Sequence, residues 1–182
     1  VFFTSAHIFA TFSVSLYIFC MFYSGASPQS LTLGCWISSD SLEVPWELYL
    51  DGVNSIMCCV VTFVSFLVHV YSGEYMGQDP HLPRFMSYLS LFTFFMMVLV
   101  TGGNFIQMFV GWEGVGLSSY LLINFWFTRL QANKAAIKAM LFNRVADFIM
   151  ILALCAIFMF FETFDYLVIF SVAPLFLDLQ MN

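Results

Sequence analysis

Long apolar runs broken by short polar segments set out the plan of this chain. Five stretches, near 1–23, 50–71, 84–101, 105–127 and 135–161, are apolar. Each can cross a hydrocarbon core of about 30 Å at about 1.5 Å of rise per residue, so they predict five transmembrane helices. Residues 24–49 differ in texture. Leu31, Leu33, Cys35 and Ile37 alternate with smaller or polar residues, and Ser38-Ser39-Asp40-Ser41 supplies turn chemistry before Leu42-Glu43-Val44-Pro45-Trp46. That pattern predicts a short interfacial β-hairpin between the first two spans. Thr101-Gly102-Gly103-Asn104 predicts a tight turn using the positive φ open to Gly and Asn, making the third and fourth spans an antiparallel pair. Residues 162–182 read as a C-terminal loop. The expected architecture is all-α and multi-spanning, a single membrane domain over 1–182.

Charge placement orients the spans. Arg84, Arg129, Lys134 and Lys138 lie in or beside the 71–83 and 128–134 loops, which counting puts on one side. The other side receives Asp40, Glu43, Glu47, Asp51, Glu162, Asp165 and Asp178 with no Lys or Arg. The positive-inside rule then puts the basic loops in the cytoplasm or the mitochondrial matrix.

Composition narrows the class further. Of 182 residues, 62% are hydrophobic and 9% charged, against about 25% charged in an ordinary soluble domain. The mean hydropathy is +0.92, which makes this an integral membrane protein in contact with lipid. The five Lys and Arg are too few and scattered for a nucleic-acid surface. Cys20, Cys35, Cys58, Cys59 and Cys155 form no CxxC pair and have no His at ligand spacing, so neither metal nor disulfide is expected. No nucleotide loop or haem-attachment pattern is present, which sends any redox cofactor to other chains. The chain begins Val1-Phe2-Phe3, without Met or a secretory leader, and reads as a fragment, a processed product or one piece of a split protein.

Against this apolar background a few ionisable groups stand out. Glu113 sits inside the fourth run, framed by Gly111-Trp112-Glu113-Gly114-Val115-Gly116, about 12 Å from the start of its helix. An intramembrane charge costs about 2.5–3.5 kcal/mol even on insertion scales and works with a partner. The glycines would let a neighbouring helix, or water, approach its backbone. Arg144 and Asp147, spaced i, i+3, share a helix face in the fifth run; they are a functional pair or a structural one. Lys138 precedes them on a nearby face, and Lys134 reads as an interfacial anchor. His69, near the basic end of the second span, can exchange protons near neutral pH or simply pack. Glu113, Arg144, Asp147, Lys138 and His69 are the candidate proton-translocation residues. Trp and Phe are assigned to lipid contact, packing and interfacial belts.

With these residues in view, Gly111-Trp112-Glu113-Gly114-Val115-Gly116-Leu117 and Ser119 to Phe127 resemble the chain 5 family of mitochondrial NADH–ubiquinone oxidoreductase, respiratory complex I. Asp79-Pro80-His81-Leu82-Pro83-Arg84-Phe85-Met86-Ser87-Tyr88-Leu89-Ser90, the stretch Gln131 to Met140 and Asn143-Arg144-Val145 extend the resemblance, strongest over about 69–150. It implies an antiporter-like membrane-arm subunit that moves protons while other subunits carry FMN, iron–sulfur clusters, NADH and ubiquinone. No redox chemistry is expected in this chain itself. It implies Glu113 as the central acid of an input channel, with Arg144 and Asp147 in the same network. The implied partners are other membrane-arm subunits, notably the antiporter-like chain 4, and the implied location is the mitochondrial inner membrane or, alternatively, a bacterial plasma membrane. Gly103, Ala146 and Glu74 depart from the family pattern. The family's lysine partner for Glu113 lies beyond these residues, which predicts a lysine from a separate chain carrying the missing C-terminal half. A sodium/proton antiporter subunit and a non-conducting structural remnant are the alternatives.

Overall fold

A computed structural model describes residues 2–39 and 42–180. The elements run α1 (Phe2–Tyr23), β1 (Gln29–Ser39), β2 (Leu42–Leu50), α2 (Gly52–Tyr75), α3 (Leu82–Thr101), α4 (Phe105–Ile123), α5 (Leu130–Phe161) and α6 (Tyr166–Gln180). Neighbours in sequence pack as neighbours in space, α1 on α2, α2 on α3, α3 on α4 and α4 on α5. That order follows from short connections between antiparallel helices.

Among the described residues, α1, α2, α3 and α5 are long and apolar enough to cross a bilayer. The fourth expected span is a helix in the expected place but falls outside that set. Its sequence spends Gln107, Gly111, Glu113, Gly114, Gly116, Ser118 and Ser119 on packing and chemistry rather than on lipid contact. Large apolar side chains face outward along the bundle, Phe142 and Phe160 among them, as hydrocarbon surroundings demand.

The hairpin between the first two spans is present, with β1 and β2 antiparallel. Two register shifts, between Thr32 and Gly34 and between Cys35 and Ile37, leave Leu33 and Trp36 as extra residues and break the expected alternation. Asp40 and Ser41 of the expected turn lie outside the described residues. The far end of the hairpin is anchored: Val44, Leu154 and Phe164 form a buried cluster against which Ile37, Phe105 and Phe158 pack.

Two expectations fail here. The stretch 162–182, expected as a loop, is helical from Tyr166 to Gln180. Asp165 starts that helix, its carboxylate accepting from the Leu167 amide at 2.9 Å, a capping arrangement that satisfies an otherwise unpaired donor. The 102–104 turn uses no positive φ: among the described residues only Gly25 and Glu162 adopt it. Gly103 is needed for space instead, because a Cβ there would fall within 3 Å of the Glu47 side chain.

That contact belongs to a junction where the acidic loops meet. Leu48 bridges to Gly102 and Asn104 to Asp165. Asn104 Nδ2 donates to the Pro45 carbonyl at 2.8 Å, and the Glu47 amide donates to Gln107 Oε1 at 3.1 Å. At the opposite end Arg84 lies over the rings of Phe125 and Phe127, which brings the two basic loops together. Span counting and charge sorting therefore agree with the packed bundle.

Burial, and then the nearby Asp165, raise the Glu47 carboxyl above its usual range. The folded junction thus holds a proton more tightly than the unfolded chain does. Its stability is highest below the ordinary glutamate value and declines as pH rises through the window up to the raised folded value. Glu47→Gln is expected to raise the melting temperature at pH 7 and flatten that decline, measured by thermal unfolding in detergent across pH 4–8.

Candidate proton-transfer site between α4 and α5

The site begins with the way α4 is held. Asn104 caps it, its side-chain oxygen accepting from the Gln107 amide at 2.8 Å. Gln107, Gly111, Gly114 and Ser118 form its buried stripe, repeating every three or four residues. A Cβ at Gly111 would lie 2.6 Å from the Leu99 backbone, and one at Gly114 would meet the Phe95 ring. The glycines therefore admit α3, not water. Glu113, two residues past Gly111 and so about 200° around the helix, is left on the face turned to α5.

On α5, Ala136, Asp147 and Leu154 are the buried positions and Arg144 lies one turn before Asp147. Arg144 Nη1 donates to both Glu113 oxygens, 3.0 Å each. It stands 4.0 Å from Asp147 Oδ2. The i, i+3 pair expected within α5 is thus the looser contact, because the guanidinium leans across to α4. Asp147 is held from the other side by Trp112, whose indole N–H donates to Oδ1 at 3.0 Å. Two carboxylates share one cation, and a single extra proton would make the group neutral.

A cavity of about 30 Å³ opens among Glu113, Gly116, Tyr120, Asn143, Arg144 and Asp147. That is room for about one water, with polar partners on several sides. The Arg144 side chain is 55% exposed and that of Glu113 29%, so the pair sits at an open edge of the bundle. Within this chain Glu113 is not sunk among apolar side chains, and the lysine expected from another polypeptide lies outside these residues. The cation at Glu113 is Arg144 of its own chain, brought near because α4 and α5 are adjacent.

Other expected site residues are placed elsewhere. Lys138 is exposed on α5, two residues past buried Ala136 and hence nearly opposite its inner face; among the described residues it makes no ion pair. His69 is fully buried between α2 and α3, bonded to Ser65 and Ser90 rather than to the Glu113 group. Trp112, assigned in sequence to packing, is a member of the site. Its signal was present: an indole donor adjacent to an intramembrane acid needs a partner.

Comparison with known proteins decides the lineage. Residues 36–86 match the model for the N-terminus of NADH-ubiquinone oxidoreductase (complex I) chain 5. Residues 102–180 match the NADH:quinone oxidoreductase/Mrp antiporter transmembrane model. The chain is 56% identical over 160 residues to NADH-ubiquinone oxidoreductase chain 5 of Arabidopsis thaliana, covering 88% of this chain and 24% of that protein. Against the chain 5 protein of Phytophthora infestans it is 51% identical over 180 residues, 99% of this chain and 27% of that one.

The chain belongs to the complex I chain 5 family.

It spans about a quarter of the length of the curated relatives it matches. Both matched regions of this chain 5 family member converge on the site: the first ends in α3, which positions α4, and the second contains Glu113, Trp112, Arg144 and Asp147.

Proposed function

We propose that this chain forms part of a proton-translocating membrane-arm subunit of complex I. The observation that carries the reading is the Glu113–Arg144–Asp147 group, two acids sharing one guanidinium beside a water-sized cavity. A guanidinium does not give up its proton in proteins, so it cannot be the group that titrates. Its part is to move: it pairs with Glu113 in one position and with Asp147 in the other, so that the two carboxylates exchange one cation. Trp112 keeps Asp147 in place for that exchange. The exposed Arg144 side chain has the freedom such a swing requires.

The remainder of the path is supplied by residues outside these 182, on this or another polypeptide. A lysine from that remainder is expected to approach Glu113 on its open side. Neighbouring membrane-arm subunits, including the antiporter-like chain 4, are the expected partners. FMN, iron–sulfur clusters, NADH and ubiquinone would be handled by other subunits. The location that fits is the mitochondrial inner membrane, with Arg84, Arg129, Lys134 and Lys138 on the matrix side.

The experiment is purification of the native assembly through a tag on this chain, followed by an NADH oxidation assay with a ubiquinone analogue. Co-purifying NADH oxidation supports the reading. A particle that exchanges sodium for protons without oxidising NADH would establish the antiporter alternative instead.

A further inference from the structure

α2 and α3 bury a second polar chain, well apart in sequence from Glu113. His69 is 0% exposed. Its Nδ1 lies 2.8 Å from the Ser65 carbonyl oxygen, which can only accept, so Nδ1 carries a hydrogen. Across the ring, Nε2 lies 3.2 Å from Ser90 Oγ. The same Ser90 hydroxyl has the Met86 carbonyl at 2.9 Å. One hydroxyl hydrogen cannot serve both acceptors.

Counting hydrogens leaves two arrangements on identical heavy atoms. With the Ser90 O–H aimed at Nε2, the imidazole is neutral. With the O–H aimed at Met86, Nε2 must bring its own hydrogen and the ring is an imidazolium. The flanking hydroxyls are committed: Thr93 donates to the Leu89 carbonyl at 3.0 Å, and Ser65 Oγ meets Thr93 Oγ1 at 2.6 Å. Ser90 is the adjustable member.

We propose that His69 is a proton-holding relay site whose two states are exchanged through the Ser90 hydroxyl, which acts as a positioning group. This rests on the translocation reading above. A hydrated proton reaching Ser90 Oγ forms a new O–H bond directed at the Met86 oxygen while the former hydroxyl hydrogen passes to Nε2. Release runs the same steps backward, so no atom is gained or lost over a cycle. Charge in a membrane interior is costly, which makes the imidazolium a transient carrier. Among the described residues no charged side chain hydrogen-bonds or ion-pairs with the ring. The charges on the helices packed here are Glu74 of α2 and Arg84 of α3, and α1 carries none.

The test uses the native assembly in sealed membranes, with proton translocation per NADH oxidised as the readout. Ser90→Ala removes one oxygen and is expected to lose translocation with assembly unchanged, whereas Ser90→Thr keeps the hydroxyl and restores it. An alanine variant that translocates normally, or a threonine variant that does not restore the loss, overturns the relay. ¹⁵N spectra of histidine-labelled protein, assigned with His69→Gln, give a readout independent of activity. Hydrogen on Nδ1 supports the proposal, and a ring protonated on Nε2 alone overturns it. Glu113→Gln run alongside separates the failures. If it is inactive while Ser90→Ala is active, only the relay falls; if both are active, the translocation reading falls too.

Discussion

Glu113→Gln is expected to cut proton translocation by about a hundredfold or more, the scale lost when a proton-transfer group is removed, while α4 and α5 stay folded. Glutamine keeps the size of the side chain and can still accept from Arg144 Nη1, now 3.0 Å from each carboxylate oxygen. What it cannot do is take up a proton and release it again. The guanidinium, freed from a charged partner on α4, is expected to close its present 4.0 Å gap to Asp147. Translocation in sealed membranes and the amount of assembled chain are the two measurements. Normal translocation with normal assembly would assign the pair to scaffolding.

Gly111→Ala is expected to be the most damaging of the single-methyl changes in α4. The added Cβ would lie 2.6 Å from the backbone of Leu99, and backbone cannot step aside as a side chain can. Overpacking a fitted interface costs about 1–3 kcal/mol, and α3 and α4 would have to separate along their length. Gly114→Ala meets the Phe95 ring at Cγ as well as Cδ1, so the whole side chain must change χ1; a side chain can do that where backbone cannot, so its cost is smaller. Gly116→Ala meets only Asn143 Nδ2 at 3.4 Å and is expected to be nearly neutral. Thermal unfolding of the three variants in detergent should rank them in that order. Separation of the helices would also pull Glu113 from Arg144, so Gly111→Ala should lose more translocation than Gly114→Ala, while Gly116, which lines the site cavity, is ranked on stability alone. Equal effects at Gly111 and Gly116 would mean that the α3–α4 contact does not set the site.

Much of the fold could be read before any coordinates, because the signals were long and one-dimensional. Four helices announced themselves by apolar length, and the hairpin by alternation and turn residues flanking a proline-bearing strand. The sidedness of the loops followed from where lysine and arginine were withheld. Short-range signals were easier to misread. Asp165 as a helix start was one carboxylate among several on the acidic side, and nothing in the sequence pattern singled it out. The glycines at 102 and 103 suggested unusual dihedrals, whereas the need was space for Glu47.

The candidate site divides in the same way. Glu113, Arg144 and Asp147 were conspicuous because charge in an apolar run requires a reason. Which of them pairs with which was not contained in the spacing. An i, i+3 interval permits Arg144 to meet Asp147, yet the guanidinium reaches α4, since the buried glycine stripe turns Glu113 toward α5. Ser90 was invisible as a site residue for the same reason: a hydroxyl acquires meaning only from what stands opposite it.

By itself, then, the order of residues determined a membrane protein, the number and direction of its long helices, and the few ionisable groups that have to justify their place in hydrocarbon. These are properties of segments, set by apolar length and by the cost of desolvating charge. The tertiary structure alone decided that Glu113 finds its cation on a neighbouring helix of the same chain, that Trp112 secures Asp147, and that His69 belongs to a separate network. Those pairings depend on which helix faces meet, and the faces are set by close contacts such as Gly111 against Leu99, which no single segment can specify.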